Sequence, residues 1–121
     1  VSEAKDTKGK KPCLIDWRVY PMTRGYDSWE CFLICFCKTL NSINYKGSYV
    51  IEEVRDYGTK KYGDPENWKE VPPQEYCDAF HRHIKEFDLD PKKVDKESGL
   101  KHASHALCNA YFLTMFEKEF V

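Results

Sequence analysis

Residues 27–40 read DSWECFLICFCKTL, and this stretch decides the fold. Asp27 or Ser28 suits the N-cap of a helix, because a short side-chain oxygen can accept a hydrogen bond from a backbone N–H that has no partner inside the helix. Trp29, Phe32, Leu33, Phe36 and Leu40 then recur at helical spacing. They form one broad apolar face on a helix running to about Leu40 or Ile43. Cys31 and Cys35 fall on one side of this helix, and Cys37 points elsewhere. The helix is therefore expected to be fastened through its sulfurs to two different neighbours.

Further along, Tyr49, Val50, Val54 and Tyr57 fit a second helical face closed by Gly58 as a C-terminal cap. The run from Ser48 to Val54 also carries β-favouring residues, so a strand stays open there. Residues 59–73 are irregular, with Gly63, Pro65, Pro72, Pro73 and Trp68 among them. A loop of that length is uncommon unless it serves a function. Pro72 and Pro73 suit the start of a helix whose stripe is Tyr76, Cys77, Phe80, Ile84 and Phe87. Asp90-Pro91 reads as a cap and first-turn proline, predicting a short helix that ends near Gly99. Leu100, Ser104, Leu107, Cys108, Tyr111, Met115 and Phe116 trace the last and longest face, widened by Phe112 and Phe120. Upstream of residue 27, an apolar-rich stretch of Leu14, Ile15, Trp17, Val19 and Tyr20 stops at Pro21. The expected fold is all-α, a small disulfide-stapled bundle of four or five helices. Residues 1–12 would form a flexible leader, and residues 13–121 a single helical disulfide-linked domain.

At 121 residues the chain has room for one hydrophobic core. Its three Trp, eight Tyr and seven Phe would supply much of that core. Six cysteines, Cys13, Cys31, Cys35, Cys37, Cys77 and Cys108, are spread over most of the length. An even number in a short chain fits three disulfides formed in an oxidising compartment, with the pairing left open. The competing reading, reduced thiols or a zinc site, finds no CxxC to support it. The chain begins at Val1, as a mature secreted chain would after loss of an export signal. No segment is apolar for long enough to span a bilayer. None of the asparagines begins an N-glycosylation sequence. Nineteen basic and twenty acidic residues give a formal charge of -1, which speaks against a nucleic-acid partner.

Catalytic patterns are sparse. His81 and His83 diverge on a helix, whereas His102 and His105 share a face, and neither pair has a conventional zinc-binding spacing. They read as solvated or partly buried side chains; a metal site combining them across the fold is the lesser reading. Glu52 with Glu53, and Glu117 with Glu119, read as helix solvation. There is no P-loop, nucleophile elbow or dinucleotide fingerprint. No enzyme activity and no cofactor are expected. The residues that suit an interface are aromatics beside charges: Trp17, Tyr20 and Tyr26 in one patch, and Tyr57, Lys60, Lys61, Tyr62 and Trp68 in another.

Length, six cysteines, the helical pattern and the stretch Cys31-Phe32-Leu33-Ile34-Cys35 together resemble the secreted helical cysteine-rich proteins of arthropods. These include insect odorant-binding proteins and the salivary proteins of blood feeders. The resemblance implies a secreted inhibitor that binds an extracellular host defence or plasma protein, of complement or of blood coagulation, by steric contact. The alternative, read from the aromatic content itself, is a carrier of a small hydrophobic ligand held between helices, among Trp29, Phe32, Phe36, Phe80, Phe87, Tyr111 and Phe112.

Overall fold

The computed structural model describes residues 12–43 and 47–120, so the expected leader lies almost wholly outside the described residues. Among the described residues five α-helices follow one another: α1 (Tyr20–Thr23), α2 (Trp29–Ser42), α3 (Gly47–Tyr62), α4 (Pro73–Leu89) and α5 (His102–Phe120). A single 3-10 turn, Asn67–Glu70, lies between α3 and α4. The all-α expectation therefore holds, and the strand considered for residues 48–54 is a helix.

α5 is the axis of the molecule, with α2, α3 and α4 each packed against it. Its composition explains this placement. Ala103, Ala106, Leu107, Cys108, Ala110, Leu113 and Thr114 are all buried, leaving no broad polar face. A helix that is apolar on most sides has to be surrounded. The alanines let neighbouring helices approach closely.

α2 begins as its sequence predicts, with Ser28 Oγ accepting from the Cys31 N–H at 3.2 Å. Trp29 and Leu40 are fully buried. Phe32, Leu33 and Phe36 pack partly buried against the core. The rings fill the interior against each other: Tyr20 stacks on Trp29 at 5.3 Å, and Phe32 meets Phe80 edge-on at 5.4 Å. Trp29 Nε1 donates to the Trp17 carbonyl at 2.6 Å, so the largest buried side chain also satisfies its polar atom. The residues considered for an apolar carrier pocket are thus largely packing partners of one another.

Four sequence expectations are corrected. First, no disulfide joins the six cysteines. The sulfurs of Cys13 and Cys77 stand 3.6 Å apart, well beyond the ~2.05 Å of a disulfide. Cys31 and Cys35 do share a face of α2, but it faces solvent. The bundle is held by packing and is not stapled. Second, α3 passes through Gly58 and ends at Tyr62. The left-handed residue after it is Gly63, at φ 76°, whose N–H donates to the Thr59 carbonyl at 2.8 Å. Third, the irregular region is shorter than expected, because α3 runs on to Tyr62 and Asn67–Glu70 form the 3-10 turn, while α4 starts at Pro73 as its prolines predict. Fourth, residues 91–99 form no helix. They make a tight loop closed by an antiparallel bridge between Val94 and Lys101. Asp95 Oδ1 accepts from the N–H groups of Glu97 and Ser98 at 2.9 and 3.0 Å, and Gly99 turns the chain at φ 74°. The segment has no apolar stripe to bury, so the aspartate's local hydrogen bonds prevail over helix.

Candidate functional site

A cleft of about 540 Å³ opens between α3, the 3-10 turn, α4, the 94–101 loop and the first half of α5. α3 contributes Arg55, Tyr57, Gly58, Lys61 and Tyr62, and α4 contributes Arg82, His83 and Glu86. The loop adds Asp95 and Glu97; α5 adds His102, His105, Asn109 and Phe112. This volume lies within the range of small-molecule and cofactor sites.

Three imidazoles meet at the floor. His83 and His102 approach Nδ1 to Nδ1 at 2.8 Å. His83 also stacks on His105, with centroids 4.7 Å apart and planes 16° from parallel. His105 Nε2 is in hydrogen-bond contact with Ser98 Oγ at 2.6 Å, and that hydroxyl accepts from the Leu100 N–H. The 94–101 loop therefore orients one imidazole and presents a carboxylate beside the others. Burial pushes the Asp95 carboxyl up. The Ser98 N–H, His105, the Glu97 N–H and His83 outweigh it and hold Asp95 below its ordinary value. Asp95 is thus a carboxylate that stays ionised.

Ligand atoms of His83, Asp95 and His102 all lie within 4.8 Å of one another. Two such donors bound at about 2.0–2.2 Å to one ion would sit roughly 3–4 Å apart, so small side-chain rotations would close the set. Two imidazoles and one carboxylate suit a divalent transition metal better than magnesium or calcium.

Beside this cluster, Lys61 pairs with Glu97 and lies over the rings of Tyr62 and Tyr57 at 5.3 and 5.9 Å. Burial works against the Lys61 ammonium, but Glu97 and the two phenols together hold it above the usual lysine range. Burial, helped by a hydrogen bond to Glu97, pushes the Tyr57 phenol up to about 12, so it remains a neutral donor. The opposite wall is aromatic. Trp68 stacks flat on Phe112 at 4.8 Å and 6°, and the Arg55 guanidinium lies over Phe112 at 5.9 Å. Trp68 Nε1 is buried and has no hydrogen-bond partner among the described residues.

Of the eight residues that the sequence marks for an interface, Tyr57, Lys61, Tyr62 and Trp68 line this cleft. Trp17 and Tyr20 are core residues, 6% and 2% exposed, and are unavailable to a partner. Tyr26 is half-buried with its ring edge-on to Phe32, and Lys60 is exposed on α3 outside the cleft lining. Sequence reading held a metal site combining the histidines across the fold only as the lesser reading, and it missed Asp95, Glu97 and Arg82 beside them. The signal available was the run Asp95, Glu97, His102, His105, which places acids just ahead of two histidines on one helical face. It gives no hint that His83, on another helix, completes the set.

The molecule is therefore an all-α bundle with a cleft that joins a potential metal-ligand set to basic groups and an aromatic wall. Residues 39–120, more than half of the chain, match the family described as dATP/dGTP diphosphohydrolase, N-terminal, and the chain belongs to that family. No curated protein and no solved structure gives a match. The family corrects several expectations at once. It is named for an enzyme, so the non-enzymatic reading falls, and with it the inhibitor of complement or coagulation and its extracellular host partner. The resemblance to arthropod salivary and odorant-binding proteins falls too. The carrier alternative falls as well, because most of the aromatic residues it named pack against one another in the core. The expected secretion falls with the family match, and the disulfides that spoke for an oxidising compartment are not formed. No helix of the described residues is long and apolar enough to cross a membrane.

Proposed function

We propose that this cleft binds a purine deoxynucleoside triphosphate and hydrolyses it to the monophosphate, releasing diphosphate. The observation that carries the reading is the coincidence of family and site. The matched residues 39–120 include every residue of the cleft lining, from Val54 to Phe112.

The roles follow from chemistry. His83, Asp95 and His102 would hold a divalent cation, which when bound neutralises phosphate charge and acidifies a water. The spacing of the three ligand atoms supports such an ion. Lys61, with Glu97 fixing its direction, and Arg82 supply positive charge along the cleft for a triphosphate. Arg82 is partly buried, and burial lowers its pKa, while Asp78 and Glu75 oppose that effect. It has no hydrogen bond or ion pair among the described residues, so an anion would be a favourable partner. Tyr57 remains protonated and can donate to a phosphate oxygen. The Trp68–Phe112 stack gives the cleft an aromatic edge against which a purine would pack, and Trp68 Nε1 is a donor in need of an acceptor. His105, tied to Ser98, keeps the ring of His83 in place by stacking.

The test is incubation of the chain with each of the four deoxynucleoside triphosphates and Mn²⁺, Co²⁺ or Mg²⁺, with chromatography of the products. Equimolar monophosphate and diphosphate from dATP and dGTP, in preference to dCTP and dTTP, is the expected result. Calorimetry of the same mixtures reads binding separately. An absence of both binding and hydrolysis with every metal refutes the reading.

A further inference from the structure

α4 carries a second cluster on a different face. His81 and His83 diverge, so while His83 enters the cleft, His81 joins Cys77 one helical turn behind it. Cys13, in the segment that precedes α1, completes the group. One ligand atom from each of Cys13, Cys77 and His81 lies within 4.8 Å of the other two. The two sulfurs are 3.6 Å apart. Two thiolates bound at ~2.3 Å to one tetrahedral zinc ion stand about 3.8 Å apart, so the sulfur pair already has nearly the required separation.

Two further observations show a built site. His81 Nε2 is buried and has no hydrogen-bond partner among the described residues, an arrangement that costs free energy unless something binds it. The segment bearing Cys13 is also pinned to α4 independently of the sulfurs. The Cys13 N–H donates to Asp78 Oδ1 at 3.0 Å, and Gln74 Nε2 donates to the Ile15 carbonyl at 2.7 Å. Gln74 Nε2 also reaches Cys13 Sγ at 3.5 Å, the kind of N–H···S contact that stabilises a metal-bound thiolate.

We propose that Cys13, Cys77 and His81 bind a single thiophilic divalent cation of the zinc class, which fastens the N-terminal segment to α4. Binding converts two thiols to thiolates and releases two protons to solvent, with no change of oxidation state. Three protein ligands leave the fourth position to water. The site is separate from the cleft and does not depend on the hydrolase reading.

The test is an anaerobic titration of the reduced, chelator-stripped chain with Co²⁺, followed by absorbance. Only thiolate ligands give sulfur-to-cobalt charge-transfer bands, so ions bound in the cleft are silent in this readout. The expected result is sulfur-to-cobalt charge-transfer bands whose final intensity corresponds to two thiolates on one bound ion per chain and that are bleached by Zn²⁺. Cys13→Ser should remove or markedly weaken the bands, and His81→Gln should weaken affinity more than Gln74→Ala, whose loss is about 10–100-fold. The double variant Cys31→Ser/Cys35→Ser should keep them. Circular dichroism establishes that each variant is folded. Absence of charge-transfer bands in the unsubstituted chain overturns the proposal, a result independent of any variant. Bands that persist unchanged in folded Cys13→Ser, or vanish in the double variant, overturn it as well.

Discussion

Asp95 combines two tasks in one side chain. Its Oδ1 accepts two backbone N–H groups of the loop, and its carboxylate stands beside His83 and His102. Asp95→Asn separates the tasks, because a carboxamide oxygen can still accept from Glu97 and Ser98 but is neutral and a poor metal ligand. The variant is expected to fold, with metal-dependent hydrolysis of dGTP reduced by at least the roughly 10–100-fold that loss of an outer-shell partner costs. Thermal unfolding and rate measurements on one preparation check both halves. The pH dependence follows from the lowered carboxyl. A group whose folded pKa lies below its unfolded value contributes stability fully above the unfolded pKa. That contribution is lost as pH falls through the folded value. Stability of the unsubstituted chain should therefore decline on acidification more steeply than that of Asp95→Asn.

At the scale of elements, α2 and α5 were legible because their apolar spacing agrees with what each buries. The errors arose where a local signal lacked that support. Asp90-Pro91 carries the marks of a helix start, yet Lys92, Lys93 and Lys96 follow it, and Val94 is left 46% exposed. With nothing to bury, the first turn does not propagate. Gly58 was misread in the opposite sense. A mid-helix glycine costs only about 0.5–1 kcal/mol relative to alanine, which the packing of α3 on α5 overrides. The two readings of Gly58 predict opposite outcomes for Gly58→Ala. At a left-handed cap the substitution would destabilise; within α3 it should stabilise by about 0.5–1 kcal/mol, since a Cβ there meets nothing within 4 Å. Urea unfolding decides between them. Gly58 also lines the cleft, so the added methyl group tests how closely a bound nucleotide approaches α3. A higher KM beside greater stability would show that the glycine is there for the ligand.

The candidate site was half legible for a reason that belongs to the whole molecule. Tyr57, Lys61, Tyr62 and Trp68 stood out as aromatics beside charges within one short span, whereas the histidine cluster exists only because α4 and the 94–101 loop meet against α5. Pairing over such distances leaves no mark in spacing. The same applies to the cysteines, whose even number implied linkage although none of them is bonded to another in the structure. Three disulfides would contribute together roughly 6–12 kcal/mol, on a typical 2–4 each. That is most of the 5–15 kcal/mol by which a domain usually exceeds its unfolded state. A reductant would then unfold the protein near room temperature. In the structure as found, stability comes from the ring-packed core around Trp29, Phe80 and Leu113, none of which a reductant touches. The melting temperature should therefore be the same with and without dithiothreitol, and all six cysteines should titrate as thiols in denaturant containing a chelator. A reductant-dependent loss of several degrees, or fewer thiols than cysteines, would mean that the chain is cross-linked after all and that packing alone does not hold α2 and α4 on α5.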